Sequence, residues 1–379
     1  MQTSESHYIG LMSGTSLDGI DGVLVRFNQT GIKVIHHAEI PYPDALRKAF
    51  AGLILPGDNE IQRMQVAAHT RCDLAHQLVK QLCEETDLSL ITAIADHGQT
   101  LRHFPNADPA YTLQVHQGAA LAELSRLDCV VDFRSKDIAA GGQGAPLVPA
   151  FHQQYFSGQT HHRAVINIGG IANISLLQPG SRTAVSGFDS GPGNTLMDTW
   201  CEQHTGASFD FDGNWAASGC VHPALLEHLL SEPYFQLAPP KSTGRESFNA
   251  EWLANKLAPF TASQMRPKDI QATLLSLTVQ SIAQNLQRAC QKAGLDSTSD
   301  LEGVYICGGG ACNRYLMSQL ASQISTPLYS SEQLGIPPRQ VEATAFAWLG
   351  KQCIEQTAID LCQTTGARQP NILGTIYRA

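Results

Sequence analysis

The sequence predicts an α/β protein built from two related domains, each a mixed sheet flanked by helices, and three observations point there. The chain has 379 residues, more than one hydrophobic core usually organises. Its opening reads as three short strands joined by turns, followed by alternating helices and strands. Near Arg163 that pattern begins again.

In order, Tyr8-Ile-Gly-Leu-Met, Gly22-Val-Leu-Val-Arg-Phe and the run from Ile32 to Ile40 read as strands. Short Gly/Ser/Thr/Asn turns join them, which predicts an antiparallel meander. A helical period over 61–85 precedes the apolar run Leu90-Ile-Thr-Ala-Ile-Ala-Asp96, which ends in His97-Gly98-Gln99-Thr100. A helix over 117–125 and the strand Cys129-Val-Val-Asp-Phe133 complete a mixed sheet. The second half opens with the strand Arg163-Ala-Val-Ile-Asn-Ile168, a Gly169-Gly170 turn and Ile171-Ala-Asn-Ile-Ser-Leu-Leu177. A helix over 270–293, the strand Gly303-Val-Tyr-Ile-Cys307, three glycines, a helix from near Asn313 and a last helix over 340–355 follow. Two halves that each begin with strand, Gly-rich hairpin and strand suggest a duplicated unit.

Composition narrows the function. With 43% hydrophobic and 16% charged residues the chain suits a buried globular protein and not a disordered one. A net charge of -9 without a basic run gives no footprint for nucleic acid or an anionic membrane. Any phosphate must therefore be met by local donors. The ten cysteines show no Cys-x-x-Cys spacing, as expected of reduced thiols in a cytosol. The first ten residues lack the features of a secretion signal, and no stretch approaches the ~20 apolar residues of a membrane span. The expected location is cytoplasmic.

Four segments carry chemistry. Ser13, Gly14, Thr15, Ser16, Leu17, Asp18, Gly19, Ile20 and Asp21 form a turn between two strands. Such a turn can aim backbone N–H groups and hydroxyls at one phosphate; the alternative is an ordinary polar loop. There is no G-x-x-x-x-G-K-[ST] loop and no G-x-G-x-x-G fingerprint after a strand. Asp189, between a strand end and Ser190-Gly-Pro-Gly-Asn194, suits a general base on a rigid loop, or else a helix cap before Thr195. His97, Gln99 and Thr100 sit at a strand's carboxyl end, where ligands commonly bind in α/β sheets; a structural histidine is the alternative. Arg134, in Asp132-Phe-Arg-Ser-Lys-Asp137, can fork onto a carboxylate or pair with Asp132 or Asp137. The run from Ala139 to Pro149 looks flexible enough for a hinge. Glu342, at the head of the last helix, either complements its dipole or reaches the site. The loop from Pro239 to Glu246 reads as a surface loop, and neither Lys241 nor Arg245 is given a catalytic role.

Seven motifs, MSGTSLDGID, DHGQTLRH, VDFRSKDIAAGGQGAPLVP, INIGGIANIS, FDSGPGNTLMD, PPKSTGRESF and ICGGGACN, occur in order from end to end. Through them the chain resembles the anhydro-N-acetylmuramic acid kinase family, within the superfamily of sugar kinases, actin and heat-shock chaperone ATPases. The resemblance implies two ribonuclease H-like (actin-like ATPase) domains, 1–133 with 370–379 and 134–369, and an interdomain cleft. It implies ATP with Mg²⁺, phosphates gripped by residues 13–21 and by Asn167, Gly169 and Gly170, and adenosine against Gly308, Gly309, Gly310 and Asn313. It also implies Asp189 as base, with His97, Gln99, Thr100, Arg134 and Glu342 on the sugar. The implied reaction opens 1,6-anhydro-N-acetylmuramic acid and phosphorylates it to N-acetylmuramate 6-phosphate in peptidoglycan recycling, carried out by a homodimer. Sugar kinases of the wider superfamily place an aspartate near the first hairpin; here that neighbourhood reads Leu11-Met12-Ser13, so the metal ligands stay unassigned.

Overall fold

The computed structural model describes residues 5–28, 31–181, 186–244, 247–263 and 265–379. Part of the turn expected at 28–31, residues 29 and 30, lies outside them, as do Arg245 and Glu246. The chain separates into two compact units, 1–151 with 340–379, and 152–339.

In the first unit β1 (Ser6–Ser13), β2 (Gly19–Asn28) and β3 (Gly31–Pro41) form the expected antiparallel meander. β4 (Ile91–Phe104) joins β1 in parallel, β5 (Tyr111–Val115) folds back onto the far half of β4, and β6 (Cys129–Val131) runs parallel to β4. In the second unit β7 (Arg163–Ile168), β8 (Ile171–Leu177) and β9 (Ser186–Pro192) form another meander. β10 (Gly303–Cys307) is parallel to β7, and β11 (Leu328–Ser330) to β10. β12 (Thr375–Tyr377) returns to pair with β6.

The orders β3-β2-β1-β4-β6 and β9-β8-β7-β10-β11 are one pattern, with the same sense at every pairing. This is the ribonuclease H-like arrangement, present twice.

Burial explains the elements. The helix Glu60–Leu82 buries Ala67, Ala68, Cys72, Ala75, Leu78, Val79 and Leu82, a stripe at helical spacing that packs with Ile9, Leu11, Leu24 and Ile94. In the second unit the helix Pro267–Lys292 buries Leu274, Leu277, Ile282 and Leu286 in one core with Ile166, Ile174 and Phe188.

The last long helix, Val341–Ile354, packs on β1 and β4 of the first unit. Gly10 permits this, since a Cβ there would lie 2.0 Å from the Ala343 carbonyl oxygen. Gly350 permits it too, since its Cβ would meet Ala95 Cβ at 2.6 Å. That contact is why the second crossing between units falls at 339/340 and not near 370.

The first crossing falls at 151/152 and not at 133/134, because the glycine-rich run is tied into the first unit. Asp137 accepts from the Gly144 amide at 2.7 Å and the Thr365 hydroxyl at 2.8 Å, and the Gln143 amide donates to the Thr365 carbonyl at 2.9 Å. The flexible hinge expected in this run is thus a pinned loop. The apolar strand also continues past its expected end at Asp96. β5 pairs with its far half, and Gly98, at φ 76°, bends it.

Among the described residues no helix is long and apolar enough to cross a membrane, and all ten cysteines are free thiols. Gly10→Ala should cost about 1–3 kcal/mol, the usual range for over-filling a packed core. Thermal unfolding checks this: Tm should fall, and an unchanged Tm would contradict the packing of the last helix on β1.

Candidate active site

In the first unit the loop 14–18 joins β1 to β2. Its position is set from beneath by a buried polar cluster. Arg71 is fully buried in the middle of the apolar stripe of helix Glu60–Leu82, and its guanidinium forks onto Asp96 at 2.8 and 2.7 Å. The same group donates to the Ser13 hydroxyl at 3.1 Å and to the Tyr42 hydroxyl at 3.1 Å. Burial, the largest single influence, would raise the Asp96 carboxyl, but the Arg71 charge together with the hydrogen bonds from Arg71 and the Gly98 amide holds the group below its ordinary value. Ser13, expected to face phosphate, spends its hydroxyl in this cluster.

Gln99, fully buried, donates from Nε2 to the Gly14 carbonyl at 2.9 Å and so steadies the loop. Ser16 donates to Asp18 Oδ1 at 2.6 Å. Leu17 and Ile20 are core side chains, so only their backbones can meet a ligand. Leu17 holds φ 60°, a left-handed conformation that turns the loop.

His97 and Arg134, both expected on the sugar, come together. Arg134 Nε donates to His97 Nε2 at 3.0 Å, and Arg134 Nη1 to the Gly144 carbonyl at 2.7 Å. The other His97 nitrogen lies 2.9 Å from the Gly98 carbonyl, which makes Nδ1 the protonated one. Burial, with the Arg134 charge adding to it, pushes His97 well below its ordinary value and keeps it neutral. Phe346 packs on both, 4.6 Å from the His97 ring and 6.0 Å from the Arg134 guanidinium. Glu342 is one helical turn before Phe346 on the same face, half-buried. Thr100 Oγ1 accepts from Gln114 Nε2 at 3.3 Å.

In the second unit Asp189 lies on β9 with only 6% of its surface exposed. Its Oδ2 accepts from the Thr243 amide at 3.0 Å, its own amide donates to the Lys241 carbonyl at 3.1 Å, and its carbonyl accepts from the Tyr234 hydroxyl at 2.8 Å. It does not cap the following helix, Thr195–Thr205, whose N-cap is Asn194. The amides of Gly193 and Asn194 reach back to the carbonyls of Gly170 and Gly169 at 2.9 and 2.8 Å, so the second hairpin and the end of β9 are tied together. Asn173 stands opposite Asp189 in the β8–β9 register.

The glycines of the expected nucleotide segments sort into two kinds. A Cβ at Gly308 or Gly310 would come within 2.4 Å of Asn167 or Ile168, and at Gly19 within 2.4 Å of the Ile40 carbonyl, so the fold itself demands these. A Cβ at Gly14, Gly169 or Gly309 would meet nothing nearer than 3.5 Å, and none of the three has a left-handed backbone. Protein packing does not require glycine there; a ligand drawn close to bare backbone would. Asn313 Oδ1 caps the helix Arg314–Gln323, accepting from the Leu316 amide at 2.9 Å. Asn167 is buried at the end of β7.

Among the described residues one group of three potential metal ligands occurs, Asp21, His37 and Glu39, on β2 and β3. Its imidazole suits magnesium poorly, since that ion prefers oxygen ligands and retained water. No protein cage for Mg²⁺ follows from these residues.

Sequence reasoning missed Arg71, although an arginine inside an alanine-rich apolar stripe is a visible signal. It also took the Pro239 to Glu246 loop for surface. Lys241 is 3% exposed, and its Nζ donates to Asn285 Oδ1 at 3.0 Å. Nothing local in Pro-Pro-Lys marks it as buried.

The family model described as Anhydro-N-acetylmuramic acid kinase matches residues 6–379. The protein of that name from Bordetella parapertussis is 47% identical over 375 residues, covering 98% of this chain and 96% of that one. Those from Ralstonia nicotianae and Cupriavidus pinatubonensis are 47% and 46% identical, covering 98% and 100% of this chain and 97% and 100% of theirs. Among solved structures, an activator of 2-hydroxyisocaproyl-CoA dehydratase from Clostridium difficile with bound ADPNP covers 93% of this chain and 98% of that one at TM-score 0.45 and 12% identity.

The sorting of glycines gives a stability test. Gly310→Ala should lower Tm, because its methyl group collides with Ile168, whereas Gly309→Ala should leave Tm within about 2 °C of the parent. Equal losses in the two variants would contradict it.

Proposed function

Because the chain belongs to the anhydro-N-acetylmuramic acid kinase family, we propose that it opens 1,6-anhydro-N-acetylmuramic acid with water and phosphorylates the freed oxygen from ATP. The product is N-acetylmuramate 6-phosphate, which returns cell-wall material to amino-sugar metabolism. The observation that carries the site assignment is Asp189, a carboxylate nearly out of water yet oriented by the Thr243 amide at 3.0 Å.

Asp189 takes a proton from water as that water forms its bond to the anomeric carbon. The bond from that carbon to O6 breaks, and O6 takes up the γ-phosphoryl group as the bond to ADP breaks. The departing alkoxide is thereby captured by phosphorus, so what remains for the protein is positioning and charge stabilisation. The backbone of residues 14–18 and of the Gly169-Gly170 turn supplies amides for the phosphates, and Gly309 lies against the adenosine. Arg134, steadied by neutral His97 whose two ring nitrogens are already engaged, receives the lactyl carboxylate, and Thr100 and Glu342 receive sugar hydroxyls and the N-acetyl group. Magnesium would accompany ATP and offset the charge that develops on the phosphates. We place this activity in a cytoplasmic homodimer.

A conventional hexosamine kinase on the same fold would transfer phosphate without consuming water. Reaction in ¹⁸O-water separates the two. One label should enter the sugar at the anomeric position and none the phosphate; phosphorylated sugar that retains its anhydro bridge, without label, would contradict the reading.

A further inference from the structure

Lys241 lies at the junction of three segments that meet at Asp189. Through its carbonyl it holds the Asp189 amide, and two residues later Thr243 holds the Asp189 carboxylate. Its Nζ donates to Asn285 Oδ1 on the central helix Pro267–Lys292 and to the Tyr234 carbonyl at 3.3 Å. Tyr234 in turn donates from its hydroxyl to the Asp189 carbonyl. The ammonium also sits 4.7 Å from the Tyr234 ring centre and 5.8 Å from that of Phe188.

Lys241 is 3% exposed, and a buried ammonium is costly unless it is paired and hydrogen-bonded. A surface loop needs no such group. From this arrangement we infer that Lys241 is a positioning residue for the reaction, a buried cation that fixes the loop carrying Thr243 and biases the Asp189 carboxylate toward its ionised, proton-accepting form.

The charged and titratable groups around it agree with that role. Burial, with Arg288 of the central helix adding to it, pulls the ammonium down to about 8, while Asp189 on β9 acts in the opposite direction. Among the described residues the Tyr234 phenol also faces it. The ammonium therefore stays mostly protonated at neutral pH, and its field favours a charged Asp189.

This inference rests on Asp189 being the base, and the test separates the two ideas. Lys241→Met, Lys241→Arg and Asp189→Asn are compared for ATP and anhydro-sugar binding by calorimetry, for kcat and KM, and for the pH profile of kcat. In Lys241→Met, binding and KM should stay within a few-fold of the parent while kcat drops by about 10²-fold, the effect of a slightly misplaced reacting group.

The acid limb should also move to higher pH by on the order of one pH unit, because a carboxylate deprived of a neighbouring cation takes up its proton sooner. Lys241→Arg keeps the charge and should leave that limb in place. If Lys241→Met does not fold, Asn285→Ala, which frees the ammonium from its acceptor, should lower kcat in the same way. An unmoved acid limb and parental kcat in folded Lys241→Met or Asn285→Ala would overturn the inference while Asp189→Asn stays inactive. Near-parental turnover in Asp189→Asn would instead remove the reading on which it rests.

Discussion

A carboxylate kept almost out of water must have its charge met by fixed donors, and much of the second unit is arranged to meet it at Asp189. β9 carries the residue, the Thr243 amide holds its oxygen, and the turn with Tyr234 holds its carbonyl. The central helix supports this from below with a polar line in an otherwise apolar face. Thr278 donates to the Gly193 carbonyl at 2.8 Å, and Asn285 receives Lys241. Such a network is stable only when each member is satisfied, so the position of one carboxylate constrains a loop, a turn and a helix together.

The first unit solves a different problem with similar means. Its hairpin offers backbone and small side chains, without a cation of its own, and must be rigid to be useful. Rigidity comes from the Arg71–Asp96 pair beneath it. Removing one partner of such a pair leaves an uncompensated buried charge, typically a loss of about 3–5 kcal/mol. Asp96 also accepts from the Gly98 amide at 3.1 Å, which links the pair to the bend beside His97. The geometry of the hairpin loop and of the bend beside His97 is thus set by one cluster.

The architecture was legible because apolar periodicity and glycine turns are local signals. The first meander, the opening hairpin of the second half, the long helices and the duplication follow from them, whereas the third strand of the second meander, Ser186–Pro192, was not read. What failed was long-range. Residue 96 looked like a strand end because polar residues follow it, yet pairing with β5 carries the strand to Phe104. The run after Ala139 looked mobile from its glycines, yet Asp137 and Thr365, 228 positions apart, tie it down. Asp189, His97 and Arg134 were each singled out by their motifs, but the hydrogen bond that joins His97 to Arg134 was not anticipated. Lys241 was missed because its burial depends on Asn285 and Tyr234, which no local pattern connects to it.

The central claim is that the Asp189 carboxylate accepts the proton of the attacking water, and chemical rescue tests it most directly. Asp189→Gly, assayed with saturating ATP and anhydro-sugar, should lose about 10²-fold or more of its turnover, as expected for removal of a general base. Added formate, a carboxylate small enough for the vacated space, should then raise the rate with saturation. Parental turnover by Asp189→Gly without formate would contradict the account.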